Sequence, residues 1–458
     1  MRPDHTICAI ATPPGEGGVG IVRISGPSAL AIVKAIYRTP RGRLRAHWPS
    51  HRLFLGDVVD PDSGEAIDQV LAVFMRGPRS YTGEDVVELQ AHGGPAGLRR
   101  IVDAVLRLGA RVPAPGEFTQ RAFLNGRLDL AQAEAVIDVI RARTDLSRRM
   151  AMGQYAGRLS ARVVALSEQL LDWIAQLEAT LDFPEDDVPE VSRTRLAEGV
   201  ERVLTALDRL LAGAEQGRVL RDGVRVAIVG APNVGKSSLL NALLGEPRAI
   251  VTEVAGTTRD SIEEWLNIDG IPMRVIDTAG ICDSDDRIET EGISRARRHL
   301  ETADLVLLVL DGARPATRDD RDIASMSAAR PRIVVVNKAD LACCLDVSDL
   351  VGDDPMVRLS ARTGENLDAL RVAMAARVAG GSLVVGDELV GGNLRHRDVL
   401  QRAREHVRKA LRTAHAGLAA DFVTIDLRAA VDALGEITGT SVSDEVVRRI
   451  FSQFCLGK

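Results

Sequence analysis

One segment of this chain has the residue types and the spacing of a phosphate-binding loop. The run GAPNVGKS, residues 230–237, fits the pattern G-x-x-x-x-G-K-S and lies between the apolar run RVAIV and the run SLLNALLG. Glycines let backbone N–H groups close around phosphates, Lys236 can reach the outer phosphates, and the Ser237 hydroxyl can bind Mg²⁺. A helix that starts here adds partial positive charge at its N-terminus. The segment predicts that the chain binds and hydrolyses a nucleoside triphosphate.

Two further elements supply groups for the metal ion and the γ-phosphate. AGTTRD contains Thr257 and Thr258, and a threonine hydroxyl can complete the Mg²⁺ shell and sense the γ-phosphate. DTAG contains Asp277, which can reach the metal through water, and Gly280, whose amide can contact the γ-phosphate. These elements predict a Mg²⁺ site at Ser237 and Thr258.

The nucleotide base is predicted from NKAD, residues 337–340, and LSAR, residues 359–362. The Asp340 carboxylate can accept two hydrogen bonds from guanine, whereas adenine offers no such pair of donors and would leave the carboxylate unpaired. LSAR would place the backbone of Ser360 and Ala361 near the guanine oxygen. The nucleotide is therefore predicted to be GTP. The residues that these elements predict to contact it are Asn233, Val234, Gly235, Lys236, Ser237, Ser238, Thr257, Thr258, Asp277, Gly280, Asn337, Lys338, Asp340, Ser360 and Ala361.

The group that orients the attacking water is left open by these residues. Signalling GTPases carry glutamine directly after a DTAG-like turn, whereas this chain carries Ile281. The following run, ICDSDDRIETEG, offers several carboxylates, most of which fit a solvated acidic loop equally well. No arginine finger is evident in cis, so a monovalent cation could supply the missing positive charge. The amide oxygen of Asn233 is the kind of hard ligand that such an ion prefers.

Three zones of the chain would position these groups. Residues 1–120 mix short β-branched runs with glycine and proline, which indicates an α+β domain. Residues 121–215 and 380–458 show apolar residues at helical spacing, and we expect both segments to pack together as one all-α domain. Residues 216–379 alternate strand and helix patterns around the phosphate-binding loop. The predicted fold is a multidomain α/β chain with a Ras-like P-loop GTPase domain inserted into the helical domain.

Composition and charge limit the partners and the compartment. The net charge of −6 excludes a general electrostatic attraction to nucleic acid. The run at residues 395–412 carries seven Lys or Arg residues against two acidic ones, and it could either track tRNA phosphates or form a solvated helix face. The cysteines form no C-x-x-C pair, the first residues lack an apolar leader, and the most apolar run is far shorter than the ~20 residues of a membrane span. We expect a cytoplasmic protein with reduced thiols and no membrane association.

Longer blocks of the sequence resemble one protein family. The blocks are DHTICAIATPPGEGGVGIVRISG, YTGEDVVELQAHGG, APGEFTQRAFLNGRLDLAQAEAVID, the GTPase elements and the final IFSQFCLGK. Together they resemble the MnmE (TrmE) family of tRNA-modifying GTPases, among the TrmE-Era-EngA-YihA-Septin-like GTPases. The resemblance extends along essentially the whole chain.

This resemblance implies a reaction, cofactors and partners. Family members are homodimers formed through a folate-binding N-terminal domain, and they work with the FAD-dependent MnmG in a heterotetramer or larger complex. They install an aminomethyl or carboxymethylaminomethyl group at C5 of the tRNA wobble uridine. The resemblance implies 5-formyltetrahydrofolate or methylenetetrahydrofolate as the one-carbon carrier, flavin as the electron carrier, and GTP hydrolysis as the driver of a conformational step. It also implies that K⁺ promotes the pairing of two GTPase domains.

Residue roles follow from the same resemblance. The K⁺ ligands would be Asn233, Thr252, Val254 and Thr257, with Thr252 also close to GTP, and the catalytic glutamate would be Glu289. The folate contacts would be Arg23, Glu88, Arg127 and Lys458. Arg127 departs from the usual lysine, which keeps the charge but changes the geometry.

Two questions stay open on the sequence. Cys455 could have a thiol role in the chemistry, or it could simply pack or line the folate site, since free cysteines are often buried small hydrophobes. The function could also be that of a regulatory GTPase of ribosome assembly, because the GTPase elements would look alike. The N-terminal glycine cluster and FCLGK favour the tRNA-modifying function.

Overall fold

A computed structural model gives the fold of the chain and describes residues 5–182, 192–245, 264–276, 300–348, 350–379 and 391–458. The chain forms two compact units. The first comprises Met1–Ile137, Tyr155–Glu190 and Ala419–Lys458, and the second comprises Asp138–Gln154 and Val191–Leu418.

The described part of the first 222 residues contains six strands and seven helices. They are, in chain order, β1 (Ile7–Ile10), β2 (Gly17–Ser25), α1 (Ala29–Ile36), β3 (Tyr37–Arg38), β4 (Leu53–Val59), β5 (Ala66–Met75), β6 (Val86–Gly93), α2 (Pro95–Arg107), α3 (Glu117–Leu124), α4 (Leu130–Arg141), α5 (Asp145–Tyr155), α6 (Arg158–Asp182) and α7 (Arg193–Asp222).

The remaining elements alternate strand and helix before the chain ends in helices. They are β7 (Val224–Val229), α8 (Lys236–Leu244), β8 (Glu264–Ile268), β9 (Ile271–Ile276), β10 (Leu305–Asp311), α9 (Arg318–Ser327), β11 (Arg332–Asn337), β12 (Met356–Arg358), α10 (Leu367–Ala379), α11 (Leu394–His415), α12 (Ala420–Thr438) and α13 (Asp444–Phe451).

An antiparallel sheet forms the centre of the first unit. Its strand order is β1-β2-β6-β5-β4-β3. Alternate residues such as Val22 and Leu89 are buried in one core with residues of α1 and α2. Because successive side chains of a strand point to opposite faces, Arg23 and Glu88 lie on the other face of the sheet.

The second unit contains a mostly parallel sheet of strand order β12-β11-β10-β7-β9-β8, in which β8 and β9 pair antiparallel. Every residue of β10 is buried, as a strand covered on both faces requires. This confirms that the most apolar run of the sequence is a buried strand. The loop after β7 lies at the carboxyl edge of the sheet, where parallel α/β sheets bind ligands.

Helices from the two sides of the nucleotide-binding elements pack against each other within each unit. In the first unit α6 packs against α12, and in the second α7 packs against α11. Each pair joins a helix of the early segment to a helix of the late segment, but the two pairs belong to different units. A single all-α domain over residues 121–215 and 380–458 stays a prediction. None of the helices in the described ranges is long and apolar enough to cross a membrane.

Candidate functional site

The phosphate-binding loop connects the end of β7 to the start of α8. Asn233 has a φ of 63° and Gly235 has a φ of 97°, a region that glycine adopts without steric cost. A Cβ atom on Gly235 would lie 2.2 Å from the side-chain nitrogen of Asn337. The loop therefore has room only for glycine at position 235, as the sequence motif requires.

Lys236 is the first residue of α8, and its ammonium group turns back toward the loop. Nζ donates hydrogen bonds to the carbonyl oxygens of Gly230 at 3.0 Å and Ala231 at 2.9 Å. Burial lowers the pKa of this lysine. Since both of these acceptors are neutral, an incoming anion would stabilise the buried cation. The loop and its lysine fit a phosphate group.

Asn337 joins the phosphate-binding loop to the loop after β12. Its Nδ2 donates to the carbonyl of Val234 at 2.9 Å, and its Oδ1 accepts from the backbone N–H of Ala361 at 2.9 Å. The side chain is buried. The sequence predicts that Asn337 contacts the nucleotide. In the structure its side chain acts as a clamp, because it is hydrogen-bonded to the backbone of both loops.

Asp340 is exposed at the same edge of the sheet. Its Oδ1 accepts a hydrogen bond of 2.6 Å from the hydroxyl of Ser360, and this bond lowers the pKa of the carboxyl group. Lys338, with a φ of 66°, forms an ion pair of 2.6 Å with Asp311. An ionised and accessible Asp340 is what recognition of the guanine edge requires. Asp311, at the end of β10, is a neighbour that the sequence motifs miss.

Several predicted nucleotide and metal residues cannot be placed. Thr252, Val254, Thr257, Thr258, Asp277, Gly280 and Glu289 lie outside the described residues. The residues that are described include Ser237 and Ser238, in the first turn of α8, and Asn233, which is exposed. These three residues belong to the phosphate-binding loop or to the helix turn that follows it.

The predicted folate residues converge on the open face of the antiparallel sheet. Arg23 of β2 stands opposite Glu88 of β6, and their side chains form an ion pair of 2.8 Å. The Arg23 guanidinium lies 5.2 Å from the ring centre of Tyr81 and 5.7 Å from that of Phe118. Its Nη1 also donates to the carbonyl of Gly457 at 3.4 Å.

The last residues of the chain complete this group. Lys458 Nζ lies 5.9 Å from the ring centre of Tyr81, and burial, together with the charge of Arg23, lowers the pKa of this lysine. Gly457 packs so closely that an added Cβ atom would lie 2.4 Å from the carbonyl oxygen of Ile10. Arg23 and Lys458 thus lie near one aromatic ring, and Glu88 joins them through its ion pair with Arg23.

Arg127 contacts the residue that precedes Tyr81 in the chain. Its Nε donates to the carbonyl of Ser80 at 3.3 Å, and its side chain is exposed. Ser80 precedes Tyr81, so Arg127 is tied to the folate-site loop through its neighbour. Arg127 keeps the positive charge of the usual lysine, and the hydrogen bond that its side chain forms is with the backbone of Ser80.

Comparison with known proteins agrees with this architecture. The family model described as "MnmE helical domain" matches residues 130–455, and the model "GTP-binding protein TrmE N-terminus" matches residues 6–127. The chain belongs to the MnmE (TrmE) family. The family expected from the sequence blocks is confirmed.

Relatives align with this MnmE-family chain over its full length. A protein of Heliobacterium modesticaldum is 48% identical over 99% of both chains, and one of Geobacter metallireducens is 47% identical over 100% of both. Both are named tRNA modification GTPase MnmE. A solved structure, the G domain of the T. maritima FeoB iron transporter, is 30% identical and covers 34% of this chain and 98% of its own, with a TM-score of 0.25.

A buried charge network in this MnmE-family chain links residues 81–84 to helix α3. The sequence patterns do not predict this network. Arg121 of α3 is 1% exposed. It donates to Glu84 at 2.9 Å and to Glu117 at 2.8 Å. Tyr81 donates to or accepts from the Thr119 hydroxyl at 2.8 Å. YTGED and EFTQR belong to two sequence blocks of the family, and only the fold shows that side chains of one block bond to side chains of the other.

Cys455 is exposed. Its carbonyl accepts a hydrogen bond of 3.3 Å from the backbone N–H of Gly116. The alternative in which the sulfur packs as a buried small hydrophobe within this MnmE-family chain is therefore wrong. Lining of the folate site and a chemical role both remain open.

The basic run on α11 is largely neutralised by ion pairs. Its pairs are Arg397 with Glu215, Arg402 with Asp398, Arg404 with Asp208, and both Arg408 and Arg412 with Glu405. Glu215 and Asp208 belong to α7, against which α11 packs. These pairs reduce the positive charge available to RNA and favour the helix-face alternative.

Proposed function

We propose that this chain is a GTP-hydrolysing enzyme that adds aminomethyl or carboxymethylaminomethyl groups at C5 of the wobble uridine of certain tRNAs. It would act with the FAD-dependent MnmG and take the one-carbon unit from 5-formyltetrahydrofolate or methylenetetrahydrofolate. The observation that carries the folate part is that Arg23 and Lys458 lie near Tyr81 and that Glu88 forms an ion pair with Arg23. A carboxylate suits the donor-rich pterin edge, and cations suit the carboxylates of folate.

GTP would be bound at the carboxyl edge of the parallel sheet. Lys236 and the backbone N–H groups of the loop would hold the phosphates, while Asp340 would accept hydrogen bonds from guanine. When bound, Mg²⁺ and K⁺ would neutralise the negative charge of the phosphates. The proposed Mg²⁺ ligands are Ser237 and Thr258, the proposed K⁺ ligands are Asn233, Thr252, Val254 and Thr257, and the residue proposed to orient the attacking water is Glu289.

A homodimer is supported by the open face of the antiparallel sheet. Leu53, Leu55 and Leu71 are 54%, 50% and 40% exposed, and Leu55 stands opposite Leu71. Leu53 and Val73 continue the same cross-strand row as Glu88 and Arg23. A contiguous exposed apolar surface of this kind is typical of a protein interface. We propose that the dimer forms through this face, next to the folate residues.

The proposed domain organisation is that of the sequence patterns. An N-terminal domain over residues 1–120 would bind folate, and a helical domain over residues 121–215 and 380–458 would carry the inserted GTPase domain of residues 216–379. The packing of α6 with α12 and of α7 with α11 supports a helical part built from both segments. We propose a cytoplasmic location, where the tRNA substrate and the MnmG partner would be met.

The test is mass spectrometry of the nucleosides of total tRNA from cells lacking this chain and from the same cells with it restored. Loss and recovery of the C5-substituted wobble uridines is the expected result. Titration of the purified protein with 5-formyltetrahydrofolate tests the folate part separately. Unchanged nucleosides together with no folate binding would overturn the proposal in favour of a regulatory GTPase of ribosome assembly.

A further inference from the structure

A cavity lined by positive charge includes one of the predicted folate residues, Arg127, and we refer to it as the Arg79 cavity. It has a volume of about 350 Å³ and is lined by His51, Met75, Pro78, Arg79, Ser80, Tyr81 and Arg127. Two of these seven residues are arginines and one is a histidine, and none of the seven is acidic. In a chain of net charge −6, this is a local concentration of positive charge.

Tyr81 belongs to both sites. Its ring lines the Arg79 cavity and lies 5.2 Å from the Arg23 guanidinium and 5.9 Å from Lys458 Nζ. Its hydroxyl is held by Thr119 at 2.8 Å. Tyr81 thus borders both the predicted folate residues and the cavity, so a ligand could extend from one site into the other.

Among the described residues, three other arginines of this part of the chain have carboxylate partners, whereas the two arginines of the cavity do not. Arg107, Arg111 and Arg121 are each paired with at least one carboxylate. Within the residues that the structure describes, neither Arg79 nor Arg127 forms an ion pair, and both side chains are exposed. An exposed guanidinium without a carboxylate partner is free to bind an anion, and arginine pairs with carboxylates through two parallel hydrogen bonds.

We propose that the Arg79 cavity binds the γ-linked glutamate tail of a polyglutamylated folate that is bound at Arg23, Glu88 and Lys458. The inference rests on the proposed folate function and extends it by naming the form of folate that the chain prefers. Each additional glutamyl residue adds one carboxylate, which matches the positive lining. The small volume and the position of Tyr81 at both sites favour an extension of the folate ligand over the phosphate backbone of tRNA, which would be met by a row of cations along a surface.

The experiment compares 5-formyltetrahydrofolate carrying one glutamate with the same folate carrying three, by calorimetric titration of the full chain. The triglutamate form is expected to bind roughly tenfold more tightly, since two exposed ion pairs contribute about 0.7 kcal/mol each. In Arg79→Gln the ratio of the two affinities should fall to about three, because one of the two ion pairs is lost. His51→Gln is the second variant, and it should reduce the ratio in the same direction.

Arg99→Gln is the matched control. Arg99 is an exposed arginine on α2, which covers the opposite face of the sheet, so the wild-type affinity ratio should persist. Because the comparison uses the ratio of two affinities, an effect of the substitution on folding that changes both affinities equally does not alter it.

Each other outcome has a defined meaning. Equal affinity of the wild-type chain for both forms would overturn this inference alone, whereas failure of both forms to bind would overturn the folate function and this inference with it. Fluorescence anisotropy with labelled tRNA completes the test. A loss of tRNA affinity in Arg79→Gln with an unchanged folate ratio would assign the cavity to tRNA and refute the tail site.

Discussion

Arg23 and Glu88 are 65 positions apart in the chain and stand directly opposite each other on β2 and β6, with 2.8 Å between Arg23 Nε and Glu88 Oε1. Their side chains are 13% and 16% exposed. Such a pair on adjacent strands is held by the register of the sheet, so its geometry is fixed before any ligand arrives. Glu88 is thereby kept next to the two cations, Arg23 and Lys458, that the folate proposal requires.

Glu88→Gln should weaken binding of 5-formyltetrahydrofolate by roughly tenfold or more, because a hydrogen bond to a charged group contributes about 1.5–3 kcal/mol. GTP turnover should be unchanged, since the nucleotide elements lie in the other unit. Folate titration and a GTPase assay on the same preparations measure both. Glu65→Gln is the control, since Glu65 is exposed and pairs with Arg100 at the surface. Unaltered folate affinity in Glu88→Gln would remove this carboxylate from the site.

Asp340→Asn should lower GTP affinity by about 100-fold and raise the affinity for xanthosine triphosphate, because the amide nitrogen can donate to the additional carbonyl of xanthine. Competitive nucleotide binding measures both affinities. Asp346→Asn is a matched control, because Asp346 is also an exposed carboxylate that accepts from a serine hydroxyl, that of Ser348. Unchanged GTP affinity in Asp340→Asn would refute the assignment of the base.

Gly235→Ala should impair both the fold and nucleotide binding. The new Cβ atom would lie 2.2 Å from the side-chain nitrogen of Asn337, so the Asn337 amide would have to move and would lose its hydrogen bond to Val234. Together with the strain at positive φ, this loss costs about 3 kcal/mol of folding free energy. Gly352→Ala is the control, since Gly352 also has positive φ, 55°, but open space around it. Thermal unfolding and GTP titration of both variants distinguish the clash with Asn337, which only Gly235→Ala creates, from the backbone strain at positive φ, which both substitutions create. Equal effects of the two substitutions would show that Asn337 is not a clamp.

Glu117→Gln should remove a pH-dependent part of the stability. Burial raises the pKa of Glu117, but hydrogen bonds from Arg111 and Arg121 outweigh this and hold it at about 2, below its ordinary value of 4.5. Because the folded-state pKa is lowered, the stabilisation is complete above about pH 4.5 and is lost as the pH falls toward 2. At neutral pH the variant should be less stable by about 3 kcal/mol, since Arg121 loses a buried partner.

Thermal unfolding of wild type and Glu117→Gln across this pH range measures the effect. The difference between the two proteins should shrink as the pH falls, while contributions of other carboxylates cancel. A difference that stays constant from neutral pH to about pH 2.5 would contradict an ionised Glu117 in the folded chain.

Leu55→Arg should shift the chain from dimer to monomer, because a charge would replace an apolar side chain at the centre of the proposed interface. Analytical ultracentrifugation over a concentration series measures the change. Leu171→Arg is the control, since Leu171 is also a half-exposed leucine, at 48%, and belongs to α6 rather than to a strand of the sheet. A Leu55→Arg chain that remains dimeric would place the dimer interface elsewhere.

The sequence by itself determined the phosphate-binding loop, the guanine-recognition elements and the family. Motif residues such as Lys236 and Asp340 are identified by spacing within a few positions, because a loop between a strand and a helix is a local structure. The buried strand at Leu305–Asp311 was also predictable, since a strand covered on both faces must be continuously apolar.

Only the tertiary structure decided which distant residues meet. Arg23, Lys458 and the segment that contains both Tyr81 and Glu88 are three separate stretches of the chain, and the strand register and the packing of the last residues bring them together. Ion pairing also changed the interpretation of α11, whose arginines face carboxylates of α7. Charge and polarity are properties of a residue, whereas partner, burial and distance depend on the folding of segments far apart in sequence.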